Sequence, residues 1–157
     1  MGELPSIIRS NVMVLADERL RILAGANMKL FPDHDLTLAI DQGCAGVAWR
    51  QAIAGSINDC WKPVYAPDAR LTPDHLERTW KLTQGQIDAT RHVRWILSLP
   101  LFLKEGTGRR FLGVLNFDGV GEQLADPSRV EHNDFLGTCV AFGERIAEIL
   151  VDDRLVM

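Results

Sequence analysis

Two apolar runs joined by a polar turn constrain this chain most. Residues 95–103 read Trp-Ile-Leu-Ser-Leu-Pro-Leu-Phe-Leu, and residues 111–118 read Phe-Leu-Gly-Val-Leu-Asn-Phe-Asp. Between them, Glu105-Gly106-Thr107-Gly108-Arg109-Arg110 is polar and carries two glycines. Strand formers on both sides of such a turn predict a β-hairpin. Period-two alternation puts Leu97, Leu99, Leu101 and Leu103 on one face, and Phe111, Leu115 and Phe117 on a face of the partner strand with Gly113 among them. Neither run alternates cleanly with polar residues, so both strands are expected to be central and covered on both sides. Pro100 has no amide hydrogen for the ladder, which predicts a bulge or irregular pairing there.

The chain before this hairpin reads as a second one. Asn11–Ala16 is apolar, Asp17-Glu18-Arg19 turns, and Leu20–Gly25 returns with Leu20, Ile22 and Ala24 on one face. Met1–Ile8 is too short for a helix of ordinary length. Asn27–Asp35 is a loop broken by Pro32 and Asp33, and Leu36–Ile40 is a short strand. Gly43–Ala52 is rich in small residues, as suits a helix lying close on a sheet, and Gly55–Asp59 is expected to return to the sheet edge. Thr72-Pro73 starts a helix running through Leu76 and Trp80. Thr83 and Gln86 have the spacing of a capping box for another short helix.

Gly119-Val120-Gly121 is expected to end the second hairpin. Asp126-Pro127 and Ser128–Glu131 look like helix starts. The last helix carries one apolar row, Phe135, Cys139, Phe142, Ile146 and Ile149, and another, Leu136, Val140, Gly143, Ala147 and Leu150. One row can pack on the sheet, leaving the other for a partner helix. Strands joined by short turns favour an antiparallel sheet with helices on its faces.

Composition excludes several classes. A formal charge of -4 and basic residues that cluster only as Arg91/Arg94 and Arg109/Arg110 argue against nucleic-acid binding. No apolar run approaches the roughly 20 residues of a membrane span, and no signal peptide is visible. Three separated cysteines, Cys44, Cys60 and Cys139, make no disulfide framework and fit a reducing, cytoplasmic setting. The histidines His34, His75, His92 and His132 show no ligand spacing, so no metal is expected. Gly106-Thr107-Gly108 and Gly119-Val120-Gly121 lack the third glycine of a dinucleotide loop. No Gly-x-Ser-x-Gly occurs, which leaves an esterase nucleophile unsupported.

The stretches Ile96-Leu97-Ser98-Leu99-Pro100-Leu101-Phe102 and Arg109-Arg110-Phe111-Leu112-Gly113-Val114-Leu115-Asn116-Phe117-Asp118 resemble the core signature of GAF domains, a family of small-molecule sensors. The first hairpin and the segment Gly43–Asp59 resemble further elements of that family. The resemblance covers about residues 11–151 of one domain spanning 1–157. It implies an α+β fold, with a central, mainly antiparallel sheet of about six strands flanked by helices. The long helix that usually precedes the first hairpin is short or missing here, so the chain reads as a fragment of a longer protein or an unusually short member.

The resemblance also implies where a ligand would sit. Trp49, Trp61 and Trp80 fall in segments flanking the family's cavity. Arg91, His92 and Arg94 precede the central strand and could meet an anion or a carbonyl. Asn58 and Asp59 end another strand beside them, and Ser98 lies within the signature. Aromatic walls with a few polar groups suit a small organic ligand, and packing of core and lid is the other reading of the tryptophans. The implied activity is non-catalytic sensing, with no cofactor, passed through terminal helices of a homodimer to an output domain in a longer parent. A branch of the family reduces free methionine sulfoxide with pocket cysteines, which makes Cys44 and Cys60 candidates for a thiol enzyme. A ligand-free structural dimerisation module is a third reading. The cyclic-nucleotide motif is not matched, since Phe117 follows Asn116 where that motif has lysine. No cysteine carries the context of bilin attachment.

Overall fold

The structure, a computed structural model, describes residues 7–55, 60, 62–69, 73–121 and 133–152; the side chains at 73–74 and 133–136 lie outside that description. In chain order the elements are β1 (Ile7–Ala16), β2 (Arg19–Ala26), β3 (Thr37–Ala39), α1 (Gly43–Ala54), β4 (Val64–Ala66), α2 (Pro73–Arg78), α3 (Gln84–Ala89), β5 (Val93–Glu105), β6 (Gly108–Val120) and α4 (Asn133–Asp152). Among the described residues the strands form one six-stranded sheet, ordered β3-β2-β1-β6-β5-β4. Every pairing is antiparallel. The order of strands and helices is the one the sequence predicts, and β5 and β6 are central.

Both hairpin turns have two residues. Asp17 and Glu18 both have positive φ, the requirement of a type I′ turn, whose twist matches that of the flanking strands. Gly106 has φ +60 at the first position of the β5–β6 turn, where glycine accepts that conformation without steric cost.

Several boundaries differ from expectation. β1 begins at Ile7, inside the stretch read as too short for a helix; apolar alternation with β6 as partner decides it. Among the described residues the edge strand after α1 is Val64–Ala66; of the return expected at Gly55–Asp59, residues 56–59 lie outside the described residues. Pro63 and Pro67 flank β4, and prolines are tolerated there because an edge strand leaves one side of its backbone unpaired. α2 stops at Arg78, short of Trp80. Thr72 and the helix starts at 126–131 lie outside the described residues.

The irregularity expected at Pro100 falls one residue later. Leu101 pairs with Gly113 but Phe102 pairs with Phe111, so β6 carries an extra residue. That residue reverses the facing of Phe111. Its ring meets Trp49 edge-on at 4.6 Å on the α1 side, whereas Leu115 packs with Leu101 and Leu150 on the α4 side. Leu97 and Leu99 pack with Cys139 on that same α4 side, as period-two alternation requires. On the opposite face, Met13, Leu20, Leu38 and Val114 pack against Ala45, Ala48 and Trp49 of α1.

α4 uses neither predicted row as a whole. Its buried line is Cys139, Gly143, Ala147 and Leu150, while Val140, Phe142 and Ile149 face solvent. Gly143 belongs to the buried line because a Cβ there would come within 3.0 Å of Leu101. Phe135 and Leu136 are in α4, but their side chains lie outside the described residues.

β6 does not end at Gly119 but runs through it to Val120. Gly119 sits opposite Trp95, and a Cβ there would lie 2.5 Å from Cε2 and 2.7 Å from Cδ1 of the buried indole. Gly119→Ala is therefore expected to destabilise the domain by about 1–3 kcal/mol through overpacking. Urea unfolding monitored by Trp fluorescence would measure it, and an unchanged midpoint would contradict the close approach.

Candidate functional site

Strand alternation brings a set of polar residues onto the face shared with α1. On β1 these are Arg9 and Asn11; on β6, Asn116 and Asp118; on β5, Ser98. The ladder aligns them in rows, since Arg9 is the partner of Asp118 and Asn11 of Asn116, with Ser98 on the other flank of Asn116. One row is a relay of hydrogen bonds. The Ser98 hydroxyl donates to Asn116 Oδ1 at 2.6 Å, and Asn116 Nδ2 donates to Asn11 Oδ1 at 2.9 Å. Asn11 Nδ2 ends the relay on the thioether sulfur of Met28 at 3.9 Å, a weak acceptor.

The other row is ionic. Arg9 is 1% exposed and grips two carboxylates. Its Nε and Nη2 donate to Asp118, at 2.7 and 3.0 Å. Nη1 and Nη2 donate to Asp33, at 2.7 and 2.8 Å. Asp33 lies in the β2–β3 loop, so this contact pins that loop to the sheet. His92 Nε2 lies 3.1 Å from Asp33 Oδ1, its ring stacks on Phe31 at 4.7 Å, and the Arg9 guanidinium sits 4.8 Å from the Phe31 centroid.

These contacts set the charges. Burial opposes the charge on Arg9, but hydrogen bonds with Asp33 and Asp118 outweigh it and hold the guanidinium's pKa above its usual value. Burial pushes Asp33 upward, yet hydrogen bonds from Arg9 and His92 prevail and bring it to about 2. Burial wins at Asp118, whose pKa is raised despite Arg9.

Beside this cluster lies a cavity that opens to solvent at its mouth. The sheet contributes Asn11, Met13, Ile22, Leu38, Ile96, Asn116 and Asp118; the loop gives Met28, Asp33 and Leu36; α1 gives Gly43, Cys44 and Ala45. The opposite wall is Ala66, Ala69, Leu76, Trp80, Leu82 and Thr90 of the 60–94 segment. That wall is held in place by polar contacts. Thr83 and Gln86 form the predicted capping box, and Gln86 Nε2 also donates to the Thr37 carbonyl and to Gln42 Oε1, both at 2.9 Å. Gln42 in turn donates to the Lys81 carbonyl, and the Gly43 amide donates to the Trp80 carbonyl.

The residues singled out from sequence scatter around this cavity. Trp80 lines it. Trp49 is buried in the α1 core, and Trp95 lies beneath Gly119 on the other face. Arg91 is exposed and paired with Asp88 at 2.6 Å. His92 stands behind the lining, bound to Asp33. The Arg94 carbonyl accepts from Ala69 N, and its buried Nε has no hydrogen-bond partner among the described residues. Ser98 is buried under Asn116 and reaches the cavity only through it. Asn58, Asp59 and Trp61 lie outside the described residues. Among the described residues no arginine lines the cavity.

Sequence reasoning missed Arg9, Asn11, Asp33, Asn116 and Asp118 as a group. The available signal was Asn116 and Asp118 two apart in an otherwise apolar strand, with Ser98 in the matching strand. Arg9 could not be paired with them before β1 was known to begin at Ile7.

Cys44 lines the cavity, but burial pushes its thiol up to about 12, the reverse of what a nucleophilic or redox thiol needs. Burial also raises the Cys139 thiol. Among the described residues no group of three or more His, Cys, Asp or Glu could hold a metal ion, and no helix is long and apolar enough to cross a membrane.

No family model matches the sequence, and no curated protein matches it. Solved structures do. A far-red cyanobacteriochrome photoreceptor is similar at 10% identity with a TM-score of 0.58, over 92% of this chain and 76% of the other. The GAF domain of an Acinetobacter phosphoenolpyruvate-protein phosphotransferase is similar at 14% identity with a TM-score of 0.51, over 92% and 72%. The fold here is GAF-like. The red-light-absorbing state of NpR6012g4, a red/green cyanobacteriochrome, is similar at 12% identity with a TM-score of 0.53, over 94% and 84%. The α+β class and antiparallel sheet expected from the sequence are those of this GAF-like architecture.

Proposed function

We propose that this GAF-like domain is a non-catalytic sensor that binds a small organic molecule in the cavity between the sheet and the 60–94 segment. The observation that carries the reading is the cavity itself, with largely apolar walls and polar groups gathered at one end, the usual make-up of a small-molecule site. Its outer wall comes from α2 and the loops on either side of α3, tied to the rest by a few polar contacts, so closure over a ligand could move that wall. The solvent-facing Phe142 and Ile149, two turns apart on one face of α4, supply an apolar strip for a second copy, through which the shift would pass to an output domain. Similarity to a far-red cyanobacteriochrome photoreceptor and a red/green cyanobacteriochrome fits a sensory role. The high thiol pKa of Cys44 disfavours the oxidoreductase reading.

Native mass spectrometry on the protein as purified tests this. The expected result is a dimer retaining a small molecule. A monomer with no adduct, and no rise in melting temperature with any fraction of a metabolite extract, would overturn it.

A further inference from the structure

We propose that the ligand is a small apolar molecule ending in a protonated, hydrogen-bond-donating nitrogen, seated with that nitrogen against Asp33 and Asp118. The inference rests on the ligand-binding reading above and names the chemistry of the same cavity.

The two carboxylates border the cavity, whereas Arg9, the cation that neutralises them, does not. The guanidinium lies behind them at 1% exposure. Two carboxylates share that one cation, which leaves an excess of negative charge at the cavity's polar end when both are ionised. Arg9 supplies one hydrogen bond to each of the four oxygens, and His92 adds one only to Asp33 Oδ1. Each carboxylate oxygen can accept about two hydrogen bonds, so acceptor capacity remains. Among the described residues, no lysine, arginine or histidine lines the cavity. An anionic ligand would therefore face like charge in a poorly solvated site, while a cationic one would complete the cluster.

A separate observation also points to a ligand. Asn11 is 7% exposed and lines the cavity, yet among the described residues its amide Nδ2 has only the Met28 sulfur, at 3.9 Å, as partner. Such a donor is nearly unsatisfied. It suits an acceptor atom on the ligand near the charged nitrogen. The rest of the lining, including Met13, Leu38 and Trp80, would cover an apolar or aromatic body.

Three probes of similar size test this by calorimetry on the full chain. They are 2-phenylethylamine, a cation; 2-phenylethanol, neutral; and phenylacetate, an anion. The amine is expected to bind more tightly than the alcohol by at least about tenfold, which is about 1.4 kcal/mol, and phenylacetate to bind most weakly. Asp118→Asn is expected to shrink the amine's advantage over the alcohol several-fold. The comparison among probes on the unaltered protein needs no variant to fold. Equal binding of amine and alcohol, or a preference for phenylacetate, would overturn the charge selectivity and leave the pocket reading standing. Binding of none, with a retained molecule in native mass spectrometry, would do the same. Binding of none with no retained molecule would remove both.

Discussion

Arg9→Met is expected to cost about 3–5 kcal/mol of folding stability at neutral pH, the usual penalty for removing one partner from a buried ionic cluster. Methionine fills similar volume, so the loss comes from charge. Asp33 and Asp118, 3% and 5% exposed, would remain in the interior without their cation. The pH dependence separates this cause from simple loss of packing. In the native protein Asp33 titrates at about 2 rather than 3.8, so its stabilising contribution is full above 3.8 and is lost as the pH falls towards 2. Asp118 has the opposite sign, because a raised carboxyl pKa favours folding as that group takes up its proton. Without Arg9, burial acts on both carboxyls unopposed by the guanidinium, and both are then most stable protonated. The gap between variant and parent should therefore narrow as the pH falls from neutral towards 3. Urea unfolding at both ends of that range would show it. An equal penalty at the two pH values would mean that the charges of the cluster are not what Arg9 holds together.

Asn116→Leu is the second large effect. Asn116 is 5% exposed and holds the centre of the relay, accepting from Ser98 and donating to Asn11. Leucine matches its shape closely but leaves the Ser98 hydroxyl and the Asn11 carbonyl oxygen without partners. Each buried, unpaired group costs about 1–3 kcal/mol. Adding Ser98→Ala removes one of the two orphans, so the double variant should be more stable than Asn116→Leu alone. Additive losses in a double-mutant cycle would instead show that the two side chains act independently. Since Asn11 and Asn116 also line the cavity, the single variant should weaken binding of 2-phenylethanol as well as folding, a link the calorimetric probes can read.

The hairpin β5–β6 was legible because its evidence is local. Strand formers, two turn glycines and period-two alternation of leucines fix its existence and the face shared by Leu97, Leu99 and Leu101. The capping box at Thr83 and Gln86 was legible for the same reason, since both of its bonds close within three residues. The relation of Phe111 to Leu115 was not, because a single extra residue in β6 reverses which face a side chain takes, and that bulge depends on how β5 pairs. The short β4 was not legible either: three residues between prolines carry no periodicity of their own and become a strand only by joining the edge of β5.

The cavity divides in the same way. The polar residues at 98, 116 and 118 stand out in the sequence because they interrupt apolar strands. What they do was decided by partners from elsewhere in the chain. Arg9 lies 109 residues from Asp118 and 24 from Asp33, and it joins them only because β1 pairs with β6 and the β2–β3 loop folds back over the sheet. Trp49 and Trp80 look alike in sequence, yet helix packing buried one in the core and turned the other to the cavity. The amino-acid sequence by itself determined the central strands, the capping box of α3 and the alternation of faces, since propensity and periodicity act over a few residues. Only the tertiary structure decided which polar side chains share a charge and which apolar ones bound an empty space, because both depend on contacts between residues far apart along the chain.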